Sequence, residues 1–137
     1  MTLKTTAGSG ILRYSPKLVG ERVSDKWWLV MDVDQSICDL YRHLYWLGSY
    51  KTKKLLRPAW GAHISIIRNE EPADDKKHLW GKYADQELEI EYNTVVGDNG
   101  VHWWLPVICE RALDIRVELG LPRDPEHPLH MTFGVTP

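Results

Sequence analysis

The stretch His63-Ile64-Ser65-Ile66 alternates a histidine, an apolar residue, a hydroxyl residue and another apolar residue. Successive side chains of an extended strand point to opposite faces of a sheet. His63 and Ser65 therefore share one face, and the two isoleucines share the other. The same pattern recurs as His130-Met131-Thr132-Phe133. Two such strands side by side would bring two imidazoles and two hydroxyls around one point, a set that suits acid–base chemistry on a phosphodiester without a metal.

The segments that precede the two motifs also repeat. Trp27-Trp28-Leu29 recurs 76 positions later as Trp103-Trp104-Leu105, and the glycines that end the two predicted helices, Gly48 and Gly120, lie 72 positions apart. Each half of the chain therefore predicts a strand, a helix and a histidine strand, in that order.

This repeat predicts an α+β fold of duplicated β-α-β lobes, with two antiparallel sheets that face a central cleft. Residues 1–10 are polar and small and are expected to be a flexible N-terminus. Residues 11–137 are expected to form a single domain, with Asp34 as the N-cap of the first helix. The alternating run Glu87–Tyr92 predicts a half-exposed strand, followed by a hairpin turn at residues 97–100.

Composition limits the classes of function. The formal net charge is −2, so the chain lacks the strongly basic character that is typical of proteins binding long nucleic acids. Cys38 and Cys109 show no metal-type spacing, which favours a reduced, cytoplasmic protein. The sequence contains no apparent signal peptide and no apolar run of the roughly 20 residues that a membrane span needs.

Three further features have competing interpretations. His127 and His130, with Glu126 beside them, could form the corner of a metal site, but on a strand and its entry loop they would not converge easily. The basic run 51–57 is a solvated loop or a surface that steers an anionic ligand. Arg68 falls on the face of neither histidine if alternation is strict, and is therefore not predicted to be catalytic.

The paired histidine–hydroxyl motifs in a duplicated frame resemble those of the 2H phosphoesterase superfamily, which includes the LigT-like RNA phosphodiesterases. Further phrases are similar to the tailed-phage anti-CBASS phosphodiesterases, viral enzymes that destroy the cyclic oligonucleotides of a bacterial defence system. The phrases that carry this closer resemblance are Gly8-Ser9-Gly10, Tyr14-Ser15-Pro16, residues 62–68, Leu79-Trp80-Gly81-Lys82-Tyr83, residues 118–122 and residues 128–132. Ser65 stands where threonine is commoner in that family, and it keeps a hydroxyl.

The resemblance implies a metal-independent phosphodiesterase, with no cofactor, that acts on a cyclic oligonucleotide ligand in the cytoplasm of a host bacterium. The catalytic residues that it implies are His63, Ser65, His130 and Thr132. It also implies that two aromatic residues bind the substrate, Tyr14 and Trp80. No long nucleic acid and no membrane are expected as partners, and a homo-oligomer is left open. Two alternatives remain: an RNA-end or 2′,3′-cyclic phosphodiesterase, and a sponge that binds cyclic nucleotides without cutting them.

Overall fold

The computed structural model describes residues 5–16 and 27–137. Within these ranges the chain forms seven strands, two α-helices and one 3-10 helix. The strands are β1 (Thr5–Tyr14), β2 (Leu29–Val33), β3 (His63–Ile67), β4 (Glu87–Asn93), β5 (Gly97–Asp98), β6 (His102–Ile108) and β7 (His130–Val135). The α-helices are α1 (Gln35–Gly48) and α2 (Glu110–Glu118), and the 3-10 helix covers Asp74–Leu79.

All described strands belong to one antiparallel sheet, in the order β4-β1-β2-β3-β7-β6-β5. An additional pairing of β4 with β6 closes this sheet into a barrel, with Tyr92 opposite Val107. Closure gives a second backbone partner to β4, which would otherwise lie at an edge of the sheet. The predicted α+β class is confirmed, whereas two separate sheets facing a cleft are not found, because pairing of β3 with β7 joins the two halves into one sheet.

The order of elements within each half agrees with the prediction. The chain runs β2-α1-β3 in the first half and β6-α2-β7 in the second. In both cases the two strands of the unit are antiparallel neighbours, and the units meet where Ile64 of β3 pairs with Met131 of β7. The two histidine strands are therefore adjacent at the centre of the sheet.

One face of the central strands forms the core. Ile64, Met131 and Phe133 are fully buried, and Leu12 and Met31 join them from neighbouring strands. Apolar side chains at alternate positions account for this face. The partner positions on the same strands, which include both motif histidines, lie on the opposite face.

Helix α1 begins as predicted, since the Asp34 side chain accepts a hydrogen bond from the backbone N–H of Ser36. Its packed side carries Cys38 and Tyr41, and the Tyr41 ring contacts Phe133 on the core face of β7. The three leucines that share one side of the helix are 42–52% exposed and do not pack on the sheet; they are Leu40, Leu44 and Leu47.

The N-terminal boundary differs from the prediction. Residues 5–10, expected to be flexible, form the first part of β1 and pair with β4. Gly10 lies where an added Cβ would come within 2.3 Å of the Met31 side chain, so the packing of Met31 against β1 favours glycine there. Residues 1–4 of the predicted flexible segment lie outside the described residues.

Neither helix within the described ranges combines the length and the apolar character that crossing a bilayer requires.

Candidate active site

The four motif side chains form a square on the face of the sheet that points away from the core. The antiparallel pairing of Ile64 with Met131 sets His63 across from Thr132, and Ser65 across from His130. Residues directly opposite each other have Cβ atoms about 4.5–5.5 Å apart, and diagonal neighbours are about 7–8 Å apart. The two imidazoles therefore occupy one diagonal and the two hydroxyls the other, and all four side chains are half-buried.

Both histidines are held by the same hydrogen bond. Nδ1 of His63 lies 3.1 Å from the carbonyl oxygen of Gly61, and Nδ1 of His130 lies 2.8 Å from the carbonyl oxygen of Pro128. A carbonyl oxygen only accepts, so Nδ1 carries the proton in each ring. In each case the acceptor lies two residues before the histidine, and Nε2 is the nitrogen that remains for proton exchange with a ligand.

The surroundings of His63 favour its neutral form. Burial lowers the pKa of His63 below its usual value, and the cations of Arg68 and Arg13 act in the same direction. The hydrogen bond to Gly61 and the carboxylate of Asp32 oppose this shift. Asp32 pairs across the strands with His63 and also binds Arg13 through two hydrogen bonds of 2.7 and 2.9 Å.

The repeated tryptophan motif supplies one indole to each histidine. The Trp28 ring packs edge-on against His63 with centroids 6.0 Å apart, and the Trp104 ring packs against His130 at 5.7 Å. These tryptophans are the second residues of the two Trp-Trp-Leu phrases. The repeated Trp-Trp-Leu phrase is visible in the sequence, but the repeat alone does not predict that Trp28 and Trp104 contact the histidines.

Trp28 also contacts the hydroxyl residue of its own half. The Trp28 Nε1–H group donates a 3.1 Å hydrogen bond to Oγ of Ser65. Because this oxygen accepts from the indole, the Ser65 hydroxyl proton is left to donate elsewhere. The side-chain hydroxyl of Thr132 has no corresponding indole donor among the described residues, so the two halves differ here.

Tyr14 and Trp80, predicted to bind substrate, contact each other. Their rings meet edge-to-face with centroids 4.9 Å apart, and Trp80 Nε1 donates to Oγ of Ser15 at 3.4 Å. The Tyr14 hydroxyl accepts from the backbone N–H of Tyr83, and Tyr14 pairs with Leu29 on the core face of the sheet. Among the described residues, neither ring contacts a motif histidine, and stacking on a base stays a prediction for both.

Arg68 lies closer to the site than strict alternation predicted. The register shifts between Leu29, which pairs with Ile67, and Val30, which pairs with Ser65, so β3 carries an extra residue there. Ile66 and Ile67 are consequently both buried. The extra residue shifts the alternation by one position. The Arg68 guanidinium carbon lies 4.7 Å from the centroid of the Trp28 ring on the histidine side.

Two arginines bind the backbone at the last residue of each histidine motif, and the sequence did not predict either contact. Nη1 of Arg42, on α1, donates to the carbonyl oxygen of Phe133 at 2.9 Å. Nη1 of Arg116, on α2, donates to the carbonyl oxygen of Ile66 at 2.9 Å. Each acceptor is the fourth residue of a motif, and each helix anchors the histidine strand of the other half. Their sequence positions offered no signal, because arginine is common on exposed helix faces.

Other candidate sites are separate from the square. A 510 Å³ cavity at the end of α1 is lined by Tyr45, Gly48, Ser49, Thr52 and Lys53. Lys51 of the basic run lies 5.6 Å from the Trp46 ring, at this end of α1. Within residues 5–16 and 27–137, no three His, Cys, Asp or Glu side chains converge in a way that could hold a metal ion. Glu126, His127 and His130, the alternative metal corner, do not form such a group.

Comparison of this chain with known protein families, with curated proteins and with solved structures finds no significant match.

Proposed function

We propose that the protein is a metal-independent phosphodiesterase that hydrolyses cyclic oligonucleotides by two-histidine acid–base catalysis. The observation that carries the proposal is the matched pair of Nδ1–carbonyl hydrogen bonds at His63 and His130, on adjacent strands whose hydroxyl residues occupy the other diagonal. Both rings present Nε2, the atom through which an imidazole can take or give a proton.

The proposed reaction uses the two imidazoles in opposite protonation states. One neutral Nε2 takes the proton of the attacking oxygen, a ribose 2′-hydroxyl or water, as that oxygen forms a bond to phosphorus. The other imidazole, protonated at Nε2, gives its proton to the leaving oxygen as the P–O bond breaks. The hydroxyls of Ser65 and Thr132 donate to the non-bridging oxygens and hold the phosphate in line.

The duplicated 2H-type fold also belongs to this proposal. Two features support it: the β2-α1-β3 and β6-α2-β7 units meet through their histidine strands, and Arg42 and Arg116 make equivalent contacts to the opposite units. The cyclic-oligonucleotide substrate and the anti-defence role come from the resemblance of the motif phrases. An RNA-end or 2′,3′-cyclic substrate is the second candidate, because the same square of side chains would act on it.

The test incubates the protein with a panel of cyclic di- and trinucleotides and 2′,3′-cyclic RNA ends, and separates the products by chromatography. We expect the wild type to cleave at least one cyclic oligonucleotide. His63→Ala and His130→Ala should abolish turnover, whereas His43→Ala, on the exposed side of α1, should not. A panel member that binds but stays intact would favour the sponge, and cleavage of RNA ends alone would favour the second candidate.

A further inference from the structure

The side chain of Arg68 lies on a platform of two tryptophans beside the histidine square. Its guanidinium carbon is 4.7 Å from the centroid of the Trp28 ring and 5.8 Å from that of Trp60. The two indoles pack edge-to-face with centroids 5.8 Å apart. Cation–π contact of this kind favours arginine over the other cationic side chains. The platform therefore holds the guanidinium against Trp28, the same indole that contacts His63 and Ser65.

The backbone that carries Arg68 is held by an ion pair whose cation is buried. Arg116 is fully buried and binds both oxygens of Glu70 through two hydrogen bonds of 2.8 Å. Arg116 also holds the carbonyl oxygen of Ile66. The turn after β3 is thus tied on both sides of Arg68, which preorganises the position of its side chain.

The geometry suits an anionic ligand. A guanidinium that lies over an aromatic ring keeps its five N–H donors in one plane, and this planar fork matches two phosphate oxygens. The position equivalent to Arg68 in the second half, 67 residues later, is Val135, an apolar residue, so the two halves differ at this position.

We infer that Arg68, held on the Trp28–Trp60 platform, forms a phosphate-binding subsite next to His63. Insofar as the ligand is a nucleotide, the inference rests on the proposed function: Arg68 would bind the scissile phosphate or its neighbour, and Trp60, 41% exposed, would line the same subsite. This subsite would make the two halves of the square unequal and would fix the orientation in which a cyclic substrate binds.

The test separates this subsite from catalysis. Inorganic phosphate is titrated into the wild type, and the indole N–H signals of Trp28 and Trp60 are followed by NMR. We expect phosphate to shift these two signals, and Arg68→Met to weaken the affinity about tenfold to hundredfold, the range for a hydrogen-bonded charge. Arg68→Lys should keep part of the affinity. Arg123→Met is the control, since Arg123 is paired at the surface with Glu110 and Asp114.

Four outcomes are distinguishable. If Arg68→Met binds phosphate as tightly as the wild type, or if phosphate leaves the two indole signals unchanged, the subsite is refuted even when cyclic oligonucleotides are cleaved. If binding depends on Arg68 while no panel nucleotide is cleaved, the subsite stands and the proposed function fails. If nucleotides are cleaved, Arg68→Met should raise KM, and an unchanged KM would count against the subsite. Arg123→Met should match the wild type throughout, and a loss there would indicate a general charge effect instead.

Discussion

Trp28 Nε1 and Ser65 Oγ are joined by a 3.1 Å hydrogen bond, and the ring of the same Trp28 packs edge-on against His63. Because Oγ accepts from the indole, the hydroxyl proton of Ser65 is directed to another acceptor. In the proposed reaction that acceptor is a non-bridging phosphate oxygen. The bond therefore makes Trp28 a positioning residue for one of the two hydroxyls.

Trp28→Phe tests this role, since it keeps an aromatic ring and removes the N–H donor. We expect kcat to fall about twofold to tenfold, the effect of one neutral hydrogen bond of roughly 0.5–1.5 kcal/mol, with KM little changed. Steady-state kinetics on the substrate that the panel identifies measures this. Trp104→Phe is the matched control, because Trp104 packs against His130 with no hydrogen bond to a motif hydroxyl. Equal losses in the two variants would indicate that ring packing, not the hydrogen bond, is responsible.

The lowered pKa of His63 should make stability depend on pH. Burial is the main cause, so the folded protein binds the imidazole proton less tightly than the unfolded chain does. The stabilisation is then complete above the unfolded pKa of about 6.5 and is lost as the pH falls from there through the folded pKa. The loss cannot exceed about 1.4 kcal/mol per pH unit for one proton. Urea unfolding of the wild type and His63→Gln between pH 8 and pH 5 should show a steeper fall for the wild type, and parallel curves would contradict this.

Much of the local structure could be predicted from the sequence. Alternation identified both histidine strands, and Asp34 marked the start of α1, because these signals depend on neighbouring residues alone. The closure of the sheet by β4 and β6 could not be predicted, since it joins segments that are distant in sequence. The order of the strands within the sheet could therefore be read only from the structure. The order of the elements along the chain could be predicted from the sequence.

The four histidine and hydroxyl residues of the candidate site could be predicted from the sequence, but the position of Arg68 beside them could not. The histidine–hydroxyl spacing identified the square, because period two assigns faces directly. The extra residue at Ile66 left no mark in the sequence, and it moved Arg68 to the histidine side. On α1, Leu44 is exposed, while Cys38 and Tyr41 provide the packed side of the helix.

Chelation should leave the proposed activity intact. The acid and the base of the reaction are both imidazoles, and the donors to the phosphate are hydroxyls, so each chemical role is assigned to a side chain. We expect the cleavage rate in millimolar EDTA to equal that in buffer. Re-addition of Mg²⁺, Mn²⁺ or Zn²⁺ should not raise it. A rate that EDTA abolishes and one of these ions restores would replace the two-histidine mechanism with a metal-dependent one.

Loss of the Arg116–Glu70 ion pair should destabilise the protein. Arg116 is fully buried and binds Glu70, Ile66 and, through Nε, the carbonyl oxygen of Pro122. Glu70→Gln removes the charge that compensates the buried guanidinium; because Glu70 itself is 34% exposed, we expect a loss of about 1–3 kcal/mol in the free energy of unfolding, measured in urea. The control is Asp114→Asn, which affects the exposed pair with Arg123 and should cost no more than about 1 kcal/mol.

A double variant separates the cost of an unpaired charge from the loss of the contacts themselves. Arg116→Met with Glu70→Gln removes the buried cation as well as its partner, so its destabilisation should be smaller than the sum of the two single losses. The same variants should weaken phosphate binding at Arg68, because Arg116 binds Ile66 and Glu70 on either side of Arg68 in the chain. Additive losses of stability would mean that the two side chains act independently. Wild-type phosphate affinity in a folded Glu70→Gln variant would mean that the ion pair supports the fold without positioning Arg68.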